Sequence, residues 1–329
     1  MAAEHRHPAV ERLASALEAV FGPATVRMNQ PLARHSTLRI GGPADLLAVA
    51  GDADVLSRIV TMAWDYGVPC RVLGGGSNVL VSDAGVRGLV VLNRAQAVAF
   101  WSEPQAAGVR AESGASFSTL AQRCVTHGLA GLEWAVGIPG TVGGAVVGNA
   151  GAWGGDVAST LVRATVLEPG GIVAEWPIER FAYGYRTSAL RQQAPAAGLG
   201  SVAAGSKQQA VVLEAQFGLQ VAEHEALETQ VADITVRRRA SQPAGATCGS
   251  VFKNPPGDYA GRLIEAAGLK GRRNGGAQIS PTHANFIVNF SNATAADVKA
   301  LINLSQHAVQ SQFGVALDLE IELIGDWYR

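Results

Sequence analysis

The sequence predicts a protein of the α+β class, and three observations support that prediction. Apolar residues recur at helical spacing in several segments, and short runs rich in β-branched residues lie between these segments. Two such runs flank Pro169-Gly170-Gly171, which is the pattern of an antiparallel hairpin. A second set of helices and strands follows a change in character near residue 222. We therefore expect two or three domains in which helices and strands are mixed.

The first hundred or so residues are predicted to alternate helices with short strands. An N-terminal helix, not a signal peptide, is indicated by apolar residues at helical spacing with charges between them: Val10, Leu13, Leu17 and Val20/Phe21. Gly22-Pro23 would end this helix. A second helix is expected over 52–67, since Asp52 can cap its start and Gly67 can stop it. Short strands are expected at 71–73, 79–81 and 89–92, with Gly74 to Asn78 as a loop.

Further elements follow in the same way. A strand, a turn and a helix are expected over 108–129, with the helix running from Ser116 to about His127. Later strands are expected at 209–219 and 283–290, and later helices at 223–239, 257–269 and 294–314. The segment 315–325 alternates strictly, which predicts one strand. Its apolar face would hold Val315, Leu317, Leu319, Ile321 and Leu323, and its other face Asp318, Glu320 and Glu322.

Composition and charge exclude several classes of function. The 329-residue chain is 48% hydrophobic and 16% charged, and its net charge of −1 gives no signal of binding to nucleic acid or to an anionic membrane. The basic run 237–239 is interpreted as a solvated helix end, with an anion site as the alternative. The cysteines Cys70, Cys124 and Cys248 are far apart, and no cluster of His, Cys, Asp and Glu has metal-ligand spacing. We therefore expect a reducing compartment and no metal.

The stretch from Trp134 to Gly155 carries no charge over 22 residues and has the length of a membrane span. Gly140, Gly144 and Gly148 even have the spacing that packs membrane helices. However, eight glycines and one proline disfavour a helix, and large apolar side chains are few. We interpret it as backbone that turns tightly or lets a ligand approach closely.

Three shorter motifs can carry chemistry. The loop "GGGSN" (74–78) could hold a diphosphate with backbone N–H groups and no lysine, or it could be a plain turn. In "FAYGYRTSALR", Arg186 beside hydroxyl groups suits a carboxylate or phosphate, the alternative being a surface arginine. In "CGSVFKNPPG", no nucleophile elbow surrounds Ser250. Its hydroxyl is interpreted as a proton donor or as a turn serine.

Seven motifs together, over about residues 30 to 325, resemble the UDP-N-acetylenolpyruvoylglucosamine reductase family, flavoenzymes that complete UDP-N-acetylmuramic acid for bacterial cell walls. In order they are "TLRIGGPAD", "LGGGSNVLVSD", "GLEWAVGIPGTVGGAVVGNAGAWGGD", "YGYRTS", "CGSVFKNPPG", "GGAQISPTHANFIVN" and "LDLEIELIG". The resemblance implies a two-part FAD-binding region of the vanillyl-alcohol-oxidase-like type and a C-terminal α/β domain for the UDP-sugar. We expect an N-terminal helix and first FAD-binding subdomain at 1–95, a second subdomain at 96–222, and the substrate-binding domain at 223–329.

The resemblance also assigns residues by motif. Catalytic residues would be Arg186, Ser250 and Glu320. Non-covalent FAD would be held by Arg39, Gly74, Gly75, Gly76, Ser77, Asn78, Gly137, Ile138, Pro139, Gly140, Thr141, Gly144, Ala145, Asn149, Gly151 and Gly154. The substrate would contact Tyr185, Lys253, Asn254, Gln278 and His283. NADPH would reduce the FAD and leave, and the enolpyruvyl sugar would then enter the same face.

The implied reaction needs those three catalytic residue types. Hydride addition to the terminal carbon of the enol ether leaves negative charge on the neighbouring carbon, delocalised into the carboxylate. Arg186 is expected to stabilise that charge and Ser250 to protonate the carbon. Glu320 is expected either to orient the enolate or to assist the proton transfer.

Some members of the family carry an inserted loop whose tyrosine closes over the substrate. The stretch 190–210 of this chain has no aromatic residue, so the chain resembles the form without that loop. We expect a cytoplasmic protein that is a monomer or a weak oligomer, with no nucleic-acid or membrane partner.

Two other functions remain open at this point. A flavin oxidase on the same scaffold would often tether FAD through histidine or cysteine; no histidine lies between His35 and His127, whereas Cys70 could serve. A regulatory nucleotide-binding module would bind the same ligands without turnover.

Overall fold

A computed structural model describes residues 8–103, 106–192 and 208–327 of the chain. Of the stretch 190–210, which has no aromatic residue, residues 193–207 lie outside the described residues. The described chain forms three units, each built on its own sheet, and the predicted mixture of helices and strands is confirmed.

The first unit packs two helices on a four-stranded sheet. Its elements are α1 (Pro8–Phe21), β1 (Val26–Pro31), β2 (Pro43–Ala50), α2 (Ala53–Asp65), β3 (Cys70–Leu73), β4 (Val79–Val81) and β5 (Val86–Asn93). The sheet order is β1-β2-β5-β3, with β2, β5 and β3 parallel and β1 antiparallel to β2. As predicted, Asp52 caps α2, since its carboxylate accepts a hydrogen bond of 2.8 Å from the Val55 N–H.

The second unit is an antiparallel sheet covered by α3 and α4. Its elements are β6 (Val98–Glu103), β7 (Ala106–Glu112), α3 (Phe117–Thr126), β8 (Leu129–Ala130), α4 (Val142–Gly148), β9 (Gly151–Ala152), β10 (Gly155–Asp156), β11 (Leu161–Glu168), β12 (Ile172–Pro177), α5 (Ala189–Gln192) and β13 (Val211–Val221). The order is β12-β11-β13-β7-β6, with β8 beside the end of β13. The predicted hairpin is β11–β12.

The third unit packs the helices α7 and α8 together, with α8 against two short strands, β15 and β16. Its elements are α6 (His224–Ser241), β14 (Ala246–Ser250), α7 (Ala260–Ala266), β15 (Arg273–Asn274), β16 (Ala277–Ile279), β17 (Phe286–Asn289), α8 (Ala295–Phe313) and β18 (Glu322–Ile324). A capping box between Thr294 and Asp297 begins α8, and Gly314 ends it in the left-handed conformation. Leu227 and Val231 of α6 pack on Val125 of α3, in the second unit. The predicted domain boundaries stay a prediction.

The C-terminal segment differs from the single strand predicted over 315–325. Only Glu322–Ile324 is a strand, and it pairs in parallel with β4 of the first unit. Upstream, the N–H groups of Glu320 and Ile321 both bond to the carbonyl of Val251, so the backbone bends there instead of extending along a neighbouring strand. The apolar alternation still holds for burial, because Leu317, Ile321 and Leu323 are in the core of the third unit.

The glycine-rich stretch contains a helix that the sequence did not predict. The seven residues of α4 include three glycines, and Val142 and Val146 are fully buried. The N–H groups of Val142 and Gly143 bond to backbone carbonyls of Ala115 and Ser113, which satisfies the start of the helix from outside. Among the described helices, none is long and apolar enough to cross a membrane.

Candidate active site

A cavity of about 550 Å³ lies where the three units meet. Its walls include residues of six stretches: 70–79, 137–151, 186–191, 209–212, 238–250 and 320–324. This volume is in the range of cofactor and ligand sites. Most of the residues that the sequence singled out lie on these stretches.

Two loops pack on each other to form one end of the cavity. We call Gly74–Asn78 the glycine loop and Gly137–Thr141 the facing loop. The Ser77 hydroxyl donates a hydrogen bond of 3.1 Å to the Pro139 carbonyl, and a methyl group on Gly75 would lie 3.1 Å from the Gly140 Cα. A methyl group on Gly76 would overlap the backbone carbonyl of His35. Glycine is therefore required here first by contacts within the protein.

The glycine loop offers backbone donors to the cavity. In the described part of the chain, the N–H groups of Gly75 to Asn78 have no protein acceptor. Consecutive free N–H groups form a nest that binds anions such as a diphosphate. Gly144 of α4, which also lines the cavity, is exposed, and a methyl group there would approach nothing closer than 3.7 Å, from Thr141 Oγ1. The free N–H donors of the glycine loop and the open space beside Gly144 together fit a dinucleotide such as FAD.

Arg186 is held in the cavity by its backbone and by two partners. It has a left-handed φ of 56°, in a turn where Gly184 and Thr187 exchange backbone hydrogen bonds. One guanidinium N–H donates a hydrogen bond of 2.6 Å to the Gly151 carbonyl. Its Nε lies 2.8 Å from Glu320 Oε1, an ion pair in which the Nε–H is not aligned for a hydrogen bond. Only 23% of the side chain is exposed, so this pair is screened less than a surface pair.

Glu320 is fixed by the glycine loop and by α5. The side-chain amide of Asn78 donates a hydrogen bond of 3.2 Å to the backbone carbonyl of Glu320. The Arg191 guanidinium donates a hydrogen bond to the same backbone oxygen. Burial raises the pKa of the Glu320 carboxyl, an effect that the charges of Arg186, Arg191 and Lys253 oppose. This carboxyl therefore holds a proton at higher pH than an exposed one does.

Ser250 ends β14 and lines the same cavity. Gly249 before it has a left-handed φ of 82°, and the Ser250 hydroxyl has no hydrogen-bond partner among the described residues. The following backbone is rigid, because the Asn285 side chain bonds to both the N–H and the carbonyl of Phe252. Arg186, Ser250 and Glu320 thus come together from three separate segments.

Comparison with known proteins gives the family. Residues 44–176 match the FAD binding domain model, and residues 242–324 match the C-terminal domain of UDP-N-acetylenolpyruvoylglucosamine reductase. The chain is 43% identical to the UDP-N-acetylenolpyruvoylglucosamine reductase of Chloroflexus aggregans over 92% of this chain and 98% of the relative. The chain belongs to the UDP-N-acetylenolpyruvoylglucosamine reductase family.

Other members of this family agree over nearly the whole chain. A reductase of Symbiobacterium thermophilum is 42% identical over 97% of both chains. The crystal structure of the reductase from Thermus caldophilus has a TM-score of 0.74 at 34% identity, covering 91% of this chain and 99% of that one. The predicted resemblance and fold class are therefore confirmed.

Most residues that the reductase motifs assigned to FAD do line the cavity. The exceptions are Arg39, Asn149 and Gly154. Arg39 is exposed with a left-handed φ of 57°. The buried amide of Asn149 bonds instead to the Gly184 carbonyl at 3.1 Å and to the Ala158 N–H at 3.0 Å. Asn149 thus supports the turn that carries Arg186. All of the FAD assignments, those that line the cavity included, stay predictions.

The five predicted substrate residues lie outside the cavity wall, on the third unit and its border with the second. The Tyr185 ring lies under the Arg186 guanidinium at 5.5 Å, and its hydroxyl accepts from the Asn254 N–H at 3.5 Å. Lys253 is close enough to influence the Glu320 carboxyl. By contrast, the Gln278 amide bonds to the Gly271 carbonyl, and His283 accepts from the Asn285 N–H. All five assignments stay predictions.

Sequence reasoning missed three arginines of the wall. Arg71 lies 3.6 Å from Glu322, Arg191 bonds to the Glu320 backbone, and Arg238 faces the cavity next to the facing loop. For Arg238 there was a signal, since an anion site was the alternative interpretation of the basic run. Burial raises the pKa of Cys70 to about 12, so little thiolate is present to form a covalent flavin bond at neutral pH.

Proposed function

We propose that this protein reduces the enolpyruvyl group of UDP-N-acetylglucosamine enolpyruvate to give UDP-N-acetylmuramate, with NADPH as electron donor and non-covalent FAD. The observation that carries the proposal is the meeting of Arg186, Ser250 and Glu320 in one cavity. The names of the relatives support the same reaction. FAD, when bound, accepts hydride from NADPH and supplies it to the terminal carbon of the enolpyruvyl group.

The glycine loop and the open side of α4 would hold the FAD. The free N–H groups of Gly75 to Asn78 suit its diphosphate, and the space beside Gly144 suits its ring system. Small side chains on α4 keep that space open.

Arg186 would stabilise the charge that develops on the substrate carboxylate. Its guanidinium is fixed by Gly151 and Glu320 before the substrate arrives, so little reorganisation accompanies the reaction. A preorganised donor of this kind typically contributes roughly 3–4 kcal/mol to the transition state.

Ser250 would donate the proton to the carbon next to the carboxylate. A serine hydroxyl is a weak acid in water, but a carbanion is a strong base, and a close, aligned hydroxyl is sufficient. The hydroxyl has no competing partner in the described part of the chain.

Glu320 would either orient the enolate or return a proton to the Ser250 hydroxyl. The raised pKa of its carboxyl favours the second role, because a protonated carboxyl can donate. Its ion pair with Arg186 favours the first.

The decisive experiment follows NADPH absorbance with and without the enolpyruvyl UDP-sugar, in the absence of oxygen. We expect absorbance to fall stoichiometrically with added sugar. NADPH consumption that is indifferent to the sugar, or that requires oxygen, would contradict the proposal and indicate a binding module or an oxidase.

Stopped-flow measurements on Ser250→Ala separate the two half-reactions. We expect NADPH to reduce the flavin at the parental rate, whereas the sugar reoxidises it at least about a hundredfold more slowly. Ser291→Ala, at an exposed serine, is the control and should behave like the parent. Parental turnover by Ser250→Ala would remove Ser250 from the site.

A soluble UDP-sugar substrate and NADPH fit a cytoplasmic enzyme. That location and the monomeric or weakly oligomeric state are part of the proposal.

A further inference from the structure

Arg238 differs from its two neighbours in the basic run at the end of α6. Arg237 and Arg239 are exposed, whereas Arg238 is half-buried and lines the cavity. Its side chain crosses the facing loop: a methyl group on Gly137 would lie 3.0 Å from Arg238 Cδ and 3.2 Å from its Nε. The Arg238 guanidinium therefore lies beside the loop that packs on the glycine loop.

Some charged side chains of the cavity wall have a partner within the described part of the protein, whereas one does not. The charged residues of the wall are Arg71, Arg186, Arg191, Arg238, Glu320 and Glu322. Arg186 pairs with Glu320 and Arg71 with Glu322, while Arg191 donates to the Glu320 backbone. Among the described residues, no carboxylate or carbonyl accepts from the Arg238 side chain. Burial lowers the pKa of Arg238, but a guanidinium stays charged at neutral pH.

A partly desolvated cation without a paired anion is energetically unfavourable, so a ligand that brings an anionic group to this cavity would be stabilised there. The glycine loop supplies N–H donors to a diphosphate but has no lysine to neutralise its charge. We infer that Arg238 supplies that missing charge, by binding a phosphate of the FAD diphosphate across the facing loop. The inference rests on the proposed binding of FAD, and it does not depend on which substrate is reduced.

A diphosphate also occurs in the UDP-sugar and in NADPH. The position of Arg238 favours FAD, because Gly137 belongs to the facing loop, whose Pro139 contacts Ser77 of the glycine loop. Arg186, Ser250 and Glu320, to which the sugar must come, lie on other stretches of the wall.

Arg238→Gln tests the inference, with Arg239→Gln as a matched control on the same helix. The full-length chains are stripped of flavin and titrated with FAD and with riboflavin, which lacks phosphate, and binding is followed by flavin fluorescence. For Arg238→Gln we expect the FAD Kd to rise about ten- to a hundredfold, the range for a hydrogen bond to a charged group. The riboflavin Kd should stay within about twofold of the parent, which is well below one such hydrogen bond. Arg239→Gln should match the parent with both ligands, and Arg238→Lys should recover part of the FAD affinity.

Two results would overturn the inference. Equal weakening of FAD and riboflavin would mean that Arg238 contacts the ring system or supports the fold. Parental FAD affinity would likewise overturn it, and a raised Kd for the UDP-sugar or NADPH, measured separately by equilibrium binding to the holoprotein, would assign Arg238 to that diphosphate instead. Since both titrations need no turnover, their outcome is separate from the success or failure of the proposed reaction.

Discussion

The two glycine-rich segments of the cavity contain the same residue for different reasons. In the glycine loop, Gly76 has a left-handed φ of 61° and its Cα faces the His35 backbone, so the protein itself fills the space. In α4, Gly144 has ordinary helical geometry and faces the open cavity. Composition alone makes the two segments look alike. Their contacts show that one is shaped by packing and the other leaves space for a ligand.

This difference separates stability from binding. Where neighbouring protein atoms fill the space that a side chain on the glycine would need, a substitution should lower the stability of the apoprotein. Where that space is left open for a ligand, a substitution should weaken ligand binding and leave the stability of the apoprotein unchanged. Four predictions test this division, from the largest expected effect to the smallest.

The largest effect is expected for Gly76→Ala. An alanine there adopts a left-handed conformation and overlaps a backbone carbonyl, so we expect the apoprotein to lose roughly 3–5 kcal/mol of unfolding free energy. Urea denaturation measures it. Gly67→Ala is the control, because Gly67 has a similar φ of 63° with nothing within 4 Å, and it should lose only about 1–2 kcal/mol. Equal losses in both variants would mean that the packing contact contributes nothing.

Gly144→Phe should weaken FAD binding and leave the stability of the apoprotein unchanged. The side chain enters the open space that we propose for the flavin, so we expect the FAD Kd to rise by more than about a hundredfold. Apoprotein stability should stay near the parental value. Flavin retention through gel filtration and thermal unfolding of the apoprotein measure the two quantities. Gly51→Phe, at an exposed glycine with open space around it, should change neither. Retained FAD in Gly144→Phe would refute the assignment of α4 to the flavin.

Asn78→Ser sharpens the comparison within the glycine loop itself. The Asn78 side chain bonds to the Glu320 carbonyl, so we expect reoxidation by the sugar to slow about two- to tenfold, the value of one hydrogen bond. The FAD Kd should change less than the reoxidation rate. A larger change in FAD affinity would show that the Asn78 side chain is a cofactor ligand, as the sequence predicted.

The smallest effect concerns the Glu320 carboxyl. Because its pKa is raised in the folded protein, stability is greatest when it is protonated and falls as pH rises through the unfolded and then the folded pKa. Glutamine resembles the protonated form, so Glu320→Gln should gain apoprotein stability relative to the parent as pH increases. Thermal unfolding at several pH values measures this trend, with Glu11→Gln on an exposed face of α1 as the control. A relative gain at low pH instead would show that Arg186 dominates over burial.

Much of the secondary structure could be predicted because its signals are local. Asp52 caps α2 through a residue three positions away, and the capping box of α8 spans the same distance. The helix α4 could not be predicted, since its first N–H groups bond to Ser113 and Ala115 on a different segment. The strand predicted over 315–325 was too long for a related reason: alternation reports burial, and hydrogen bonding by Val251 bends the backbone.

The sequence by itself determined which residue types were available, where the helices are capped, and the motif order that marks the family. Tertiary structure alone decided that Asn78 bonds to the backbone carbonyl of Glu320, 242 residues away, and that Arg186 pairs with the Glu320 carboxylate. It also decided that Arg238 lines the cavity while Arg239 does not. The physical reason is that caps and periodicity are interactions between near neighbours in the chain. The site is built from contacts between distant segments, whose approach only the packed units fix.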